Sequence, residues 1–563
     1  MAKLSAPYNF VPISKHVYTV DYGDKISMDV PFKDGEDGII ELEIKNHTPL
    51  FIGGKKEKDQ DQVLESRHVR MPDGTKRYYI PGTTLKGCIR SVMEVISFAK
   101  MQQFNNDSFG WRNIAGSGKK SKSANGCGWL RKDGKKYYIS PCKEGVQRIK
   151  HKDIIKLGFK DFKHEGILEA KEFHETAIIK INSLGKEKFP EVSIKPNSCY
   201  YFKNGEKRTV PEGKYQLVCT GCMRRKNVEY LFSKSKKDKI EISEKLFKTF
   251  DTIHKNTKFY SGFLLDRLMD GKSIPVFFYE ENGEIKEIGI TANYRNTYKN
   301  SIQDCVKRVQ EQFNDQDNID LPEAIFGYVN DNNSSLRGRV LIGNAFCDKT
   351  DIKPCPKVSG VLGQPRASFY PLYLKQTKGK PWVDYNNPKA EIAGRKRYRI
   401  HQGLYIKDLP QYNEKKDKQD NVTNTFIPLP KGMTFKCRIS IHNLRKVEIG
   451  ALLSSITFNK TLDTYHNIGM AKSFGYGVVT CKVAGLKYLN HSVDEYIAAF
   501  NEEMSAFLKK QKNDEKSSYE ESLKKLINIS SPIHNCDDVR MMELTDYTAV
   551  KREKQASVLH EKN

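Results

Sequence analysis

Along "GIIELEIKN" the apolar residues Ile40, Leu42 and Ile44 alternate with Glu41, Glu43 and Lys45, the period of a strand with one buried face. A Gly53-Gly54 turn ends this segment. In "YYIPGTTLKGCIRSVMEVISFAK", Pro81-Gly82 breaks the chain and Thr83 or Thr84 is expected to cap a helix. Leu85, Ile89, Met93 and Ile96, at spacings of 4, 4 and 3, give that helix one apolar side. The last third repeats the grammar. Phe435, Cys437, Ile439 and Ile441 alternate as a strand, and Ile449, Leu452, Leu453 and Ile456 share a helical face. "NIGMAKSFGYGVVTCKV" then leads into a β-branched strand. Two strand-helix-strand units on one antiparallel sheet predict an α+β domain of ferredoxin-like, RRM-like type.

The ends and the middle differ. Residues 1–100 and 321–488 are expected to be two parts of one core, and 489–563 a helical tail with Tyr496, Phe500, Met504 and Phe507 on one face. In that tail "KKQKNDEKSSYEESLKK" is too charged to be core, so the tail is a docking surface or an edge cover. Residues 101–320 read as a large, polar, loop-rich insertion. Lys119–Lys163 alone holds 14 Lys or Arg against 4 Asp or Glu, an excess of ten. Lysines mixed with Trp129, Tyr137 and Tyr138 suit a nucleic-acid strand, whose bases stack on aromatics while cations follow the phosphates. A solvated charged face fits the same residues.

The glycine-rich stretch packs Gly469, Gly475 and Gly477 around Lys472, Phe474 and Tyr476. Clustered glycines mark a tight turn or a loop that cradles a ligand. No helix follows, so neither a phosphate-binding loop nor a dinucleotide fingerprint is present and a nucleotide cofactor is disfavoured. Charge sharpens the choice. Lys plus Arg total 95 against 69 Asp plus Glu, a formal +26, which points to a polyanionic partner. No apolar run reaches the ~20 residues that span a bilayer, and the start lacks an apolar signal core, so the expectation is a cytoplasmic protein away from membranes. The twelve cysteines are spread thinly and read as reduced thiols. Cys219 and Cys222 have zinc-ligand spacing, with Cys127 and Cys142 upstream; a structural zinc and ordinary thiols are the two readings.

The motifs "YIPGTTLKGCIR" and "NIGMAKSFGYGVV" resemble the first-helix motif and the Gly-rich loop of the RAMP superfamily, the ferredoxin-like RNA-binding proteins of CRISPR systems. Further stretches in order, among them "APYNFVPISKHVY", "IFGYVNDNNSSLRGRVLIGNAF", "GQPRASFYPLYL" and "GRKRYRIHQG", resemble RAMP proteins of type III-like loci. The resemblance implies a backbone subunit that holds guide RNA opposite a complementary target, together with other effector subunits or copies of itself. It implies RNA contacts at Thr84, Lys86 and Arg90 and at Gly469, Lys472, Ser473, Phe474, Gly475, Tyr476 and Gly477. The cluster Arg395, Lys396, Arg397, Tyr398, Arg399 and His401 adds a second basic-aromatic surface. His401 is a contact, or a general base in metal-independent cutting of precursor RNA.

Some RAMP backbone subunits cut target RNA with an aspartate that precedes the PGTTLKG helix. Here that position is Ser66, which cannot hold a cation as a carboxylate does. Cutting with a divalent cation therefore falls to Asp61 and Glu65 or is absent; no other cofactor is expected. The functional expectation is guide-RNA binding in a type III-like RNA-targeting antiviral effector. The alternatives are an endoribonuclease and a scaffold that recruits a protein through the tail.

Overall fold

The computed structural model describes residues 4–53, 63–102, 104–106, 108–111, 124–157, 189, 191–203, 206–219, 228–235, 239–255, 257, 260–330, 334–350, 352–362, 366–400, 424–532, 539, 541–542 and 544–559. The chain divides into two compact units, one of residues 1–107 with 300–563 and one of 108–299. It is an α+β protein with antiparallel sheets and a helical C-terminal region.

In the first unit, strand β1 (Tyr8–Val11) is followed by β2 (Glu36–Asn46), β3 (Val63–Glu65), β4 (Lys76–Ile80) and helix α1 (Gly82–Ile96). After the second unit come β5 (Val340–Ile342), β6 (Ala345–Cys347), β7 (Arg395–Tyr398), β8 (Asn424–Ile427), β9 (Thr434–Leu444), α2 (Lys446–Thr457) and β10 (Val478–Lys487). The main sheet runs β10-β2-β9-β6-β4, with β5 also on β9, every pair antiparallel. Register follows the sequence alternation: Ile40, Leu42 and Ile44 oppose Ile439, Cys437 and Phe435, and all six side chains are buried.

Helix α1 buries Leu85, Ile89 and Met93 as its spacing predicts. Its capping differs from the expectation. Pro81 occupies the N-cap and offers no side-chain cap of its own, Thr83 and Thr84 lie in the first turn, and the Gly82 N–H donates to the Asn344 side chain at 3.0 Å. Helix α2 is buried on nearly every side, its Ile449, Leu452, Leu453 and Ile456 joined inside by Gly450, Ala451, Ser454 and Ser455.

The tail explains that burial. Helix α3 (Val493–Lys509) packs on α2, and a Cβ at Gly450 would stand 2.0 Å from the Tyr496 carbonyl oxygen, so only glycine admits the contact. Tyr496, Phe500 and Met504 are buried there, and Phe507 stacks on Phe98 at 5.7 Å. Helix α4 (Asn513–Ser530) contradicts the reading of its charged stretch as wholly non-core. Tyr519 is 1% exposed and lies 4.8 Å from the Phe98 ring, and Leu526 and Ile529 pack with Val11, Val92 and Val95. Apolar residues spaced one or two turns apart suffice to bury one stripe of an otherwise charged helix. The apolar faces of α3 and α4 are thus spent on the protein's own core.

Among the described residues, 108–299 hold two larger sheets of their own beside two two-stranded ones, where loops were expected. One has five antiparallel strands in the order Ile240–Ile242, Lys136–Pro141, Gly126–Asp133, Ile274–Glu281 and Glu284–Gly289. The other has four, Glu191–Ile194, Gly213–Val218, Val228–Ser233 and Gln147–Lys150. Two of the three aromatics read as base-stackers, Tyr137 and Trp129, serve this core instead. Tyr137 stacks on Phe247 at 3.7 Å, and Trp129 meets Phe189 and Phe232 edge-on at 5.9 and 5.5 Å. No described helix is long and apolar enough to cross a membrane.

Candidate nucleic-acid interface

Strand β7 lies antiparallel to β1, pairing Tyr398 with Tyr8, Arg397 with Asn9, Lys396 with Phe10 and Arg395 with Val11. Neighbouring side chains on a strand leave by opposite faces, and this divides the basic run in two. Arg395 and Arg397 reach α1. Arg395 donates to Glu94 at 2.7 Å and to the Ala99 and Lys100 carbonyls at 3.1 and 2.8 Å, so its guanidinium is committed inside the fold. Arg397 donates one bond, at 2.9 Å, to Ser91 Oγ, and its buried Nε has no partner. Lys396 leaves by the other face, 4.7 and 4.9 Å from the Tyr8 and Tyr398 ring centroids.

The glycine-rich loop supplies the facing wall. Gly469, Ala471, Gly475 and Gly477 all have positive φ, and a one-turn 3-10 helix, Lys472–Phe474, sits among them. At Gly477, with φ of 76°, a Cβ would fall 1.8 Å from the Ile468 carbonyl oxygen. Gly477→Ala is therefore expected to cost about 1–3 kcal/mol of stability and to distort the loop, read as a lowered denaturation midpoint. Tyr476 is buried, edge-on to Phe426 at 5.9 Å, and Phe474 packs beside them, so these aromatics anchor the loop. The N–H groups of Met470, Phe474, Gly475, Tyr476 and Gly477 are bonded within the protein. Those of Ala471, Lys472 and Ser473 donate to no described protein atom. Left-handed Ala471 followed by a right-handed turn is the alternation that gathers successive N–H groups into an anion-binding nest.

Loop and strand enclose a cleft of about 620 Å³, lined by Arg366, Tyr398, Asn424 and residues 469–473 together with Val361 and Leu362. Its electrostatics are one-sided. Burial, reinforced by Lys472, pushes the Lys396 ammonium down to about 8. Burial and the Arg397 charge also lower Lys472, against an opposing pull from Cys88. Neither ammonium has a carboxylate partner among the described residues. Half-buried cations without counter-ions cost stability unless something anionic is to be held.

The other sequence-derived candidates fall elsewhere. Lys86 donates to the Phe326 carbonyl at 3.1 Å and lies 5.6 Å from that ring's centroid, while Arg90 pairs with Glu94 at 3.1 Å. Thr84 is half-buried in the first turn of α1. Glu65 ends β3 in an ion pair with Lys76 at 2.7 Å, and Ser66 is buried with its hydroxyl toward the Ile427 carbonyl at 3.4 Å. Asp61, His401 and Cys222 lie outside the described residues. Among the described residues no group of three potential metal ligands occurs. Residues that sequence reasoning passed over are Arg366 and Asn424. Alternation along "GRKRY" was the available signal that sets Arg395 and Arg397 apart from Lys396.

Residues 43–304 match the family model described as the RAMP superfamily. Over that span, a little under half of its length, the chain is similar to RAMP-superfamily proteins. No curated protein matches the chain. Among solved structures, the crystal structure of Thermofilum pendens Csc2 aligns over 92% of the chain and 91% of its own length, at 11% identity and a TM-score of 0.25. The cryo-EM structure of the Type III-B Cmr-beta bound to cognate target RNA aligns over 79% of the chain and 96% of its own, at 9% identity and a TM-score of 0.18.

Proposed function

We propose that this protein is a CRISPR-associated RAMP protein that holds guide RNA by its phosphate backbone, as one subunit of a type III-like RNA-targeting effector. The observation that carries the proposal is that Lys472 stands within electrostatic reach of both Lys396 and Arg397, on a glycine-rich nest whose Ala471, Lys472 and Ser473 N–H groups donate to no described protein atom. Phosphate oxygens satisfy both the charges and the N–H groups, without regard to base sequence, which is what a guide-holding subunit requires. On this reading the core is ferredoxin-like: β2-α1-β5 and β9-α2-β10 are its two units, and the order β10-β2-β9-β5 is that of a split βαβ sheet. Residues 108–299 are then an insertion into that core.

The test is to express the chain with a CRISPR repeat array, purify it through a high-salt wash and sequence the RNA that remains. Short repeat-derived RNAs with uniform ends are expected. A protein that emerges clean, or carries only random cellular RNA, overturns guide holding by this chain.

A further inference from the structure

One nucleophile beside the cation cluster has no part in gripping RNA. Cys88 of α1 places its Sγ 3.4 Å from Nδ1 of His466, and His466 is 2% exposed with its Nε2 donating to the Ile456 carbonyl at 2.9 Å. With Nε2 fixed as a donor, Nδ1 either accepts the thiol proton or, as imidazolium, donates to a thiolate. Burial raises the Cys88 thiol, but His466 first, then Arg397 and Lys472, outweigh it and bring the thiol down to about 7. Cys437, buried without such company, is pushed up to about 11. Cys88 is also partly exposed, as a reacting thiol requires.

We propose that Cys88 is a peroxide-sensitive modification site whose oxidation releases the RNA grip; this rests on the RNA-binding reading above. The thiolate attacks one oxygen of hydrogen peroxide, an S–O bond forms and the O–O bond breaks. Sulfur gives up two electrons, and the departing hydroxide takes the proton from His466 Nδ1 and leaves as water. A second peroxide oxidises the sulfenic acid by two more electrons to a sulfinic acid, again with loss of water, and the acid ionises to solvent. The sulfinate holds a full charge on two oxygens among His466, Arg397 and Lys472. Arg397 and Lys472 then bond an internal anion in place of a phosphate.

The experiment treats the full chain with hydrogen peroxide, locates oxidised cysteines by mass spectrometry, and measures binding of a single-stranded RNA before and after. Oxidation is expected first at Cys88, with RNA binding about tenfold weaker, the scale of one lost charge-assisted contact. Cys88→Asp, which plants a carboxylate at the same place, is expected to reproduce the loss without peroxide, and Cys88→Ser to abolish the peroxide response. Should the oxidised protein bind RNA as tightly as the untreated one, or should Cys88 oxidise no faster than Cys437, the switch is refuted while RNA binding stands. Failure of the untreated protein to bind RNA instead brings down the reading beneath it, and the switch with it.

Discussion

Replacing Lys396 and Lys472 together by methionine is expected to weaken RNA binding by about 100-fold while leaving the free protein at least as stable as before. Two phosphate contacts to charged donors contribute on the order of 1.5 kcal/mol each, which compounds to about two decades. The stability arm follows from the same geometry. Burial holds the Lys396 ammonium down at about 8, below its ordinary value of 10.5, so the folded state disfavours its charge. A lysine depressed in this way contributes stability above pH 10.5 that is lost as pH falls through about 8. The free protein should therefore gain stability between those limits, and RNA affinity should fall over the same range as Lys396 discharges. In the Lys396→Met variant both trends flatten. The slope of log affinity against log salt should also drop by roughly 0.7 for each cation removed. Equal affinity in the double variant, or an unaltered salt slope, would place the RNA elsewhere.

Why these two lysines and not their neighbours was only partly legible. The strands and helices of the core follow from periodicity: Ile40, Leu42 and Ile44, or Leu85, Ile89 and Met93, declare a buried face without help from distant residues. The glycine loop declared itself by composition. "GRKRY" marked itself as basic, yet charge alone ranked Arg395 with Lys396. What separates them is Glu94, about 300 residues away in sequence, which absorbs Arg395 and leaves Lys396 with only aromatic rings for company. The pairing of Cys88 with His466 spans 378 positions and has no local signature at all. In residues 108–299 the strands are short and interrupted by lysines, so alternation rarely ran long enough to outweigh the charge, and Tyr137 and Trp129 looked exposed. Helix α4 misled in the same manner, since its buried Tyr519 sits within a run of charges. Partners distant in sequence decide which charged residues are free for function.

The buried pair Arg339–Glu448 makes the same point with a larger energy, and Glu448→Ala is expected to destabilise the first unit by about 3–5 kcal/mol in chemical denaturation. Both side chains are wholly buried. Arg339, just before β5, gives Nη1 to Glu448 Oε2 at 3.1 Å, Nε to the Ala324 carbonyl at 3.0 Å, and bonds the Asn443 carbonyl. Glu448, in the first turn of α2, also accepts the Arg445 N–H at 2.8 Å and so closes the helix N-terminus. The pair ties the sheet edge at β5 to the β9–α2 junction, and removing the carboxylate strands a guanidinium where no water reaches it. A second variant separates that penalty from general damage. Arg339→Met combined with Glu448→Leu removes both charges, and should recover at least half of the loss, the remainder reflecting the orphaned carbonyls of Ala324 and Asn443. If the double variant proves no more stable than Glu448→Ala, the cost lies in packing and helix capping, and the unpaired charge is not its cause. If Glu448→Ala costs under about 1 kcal/mol, solvent reaches the site and the burial itself is mistaken.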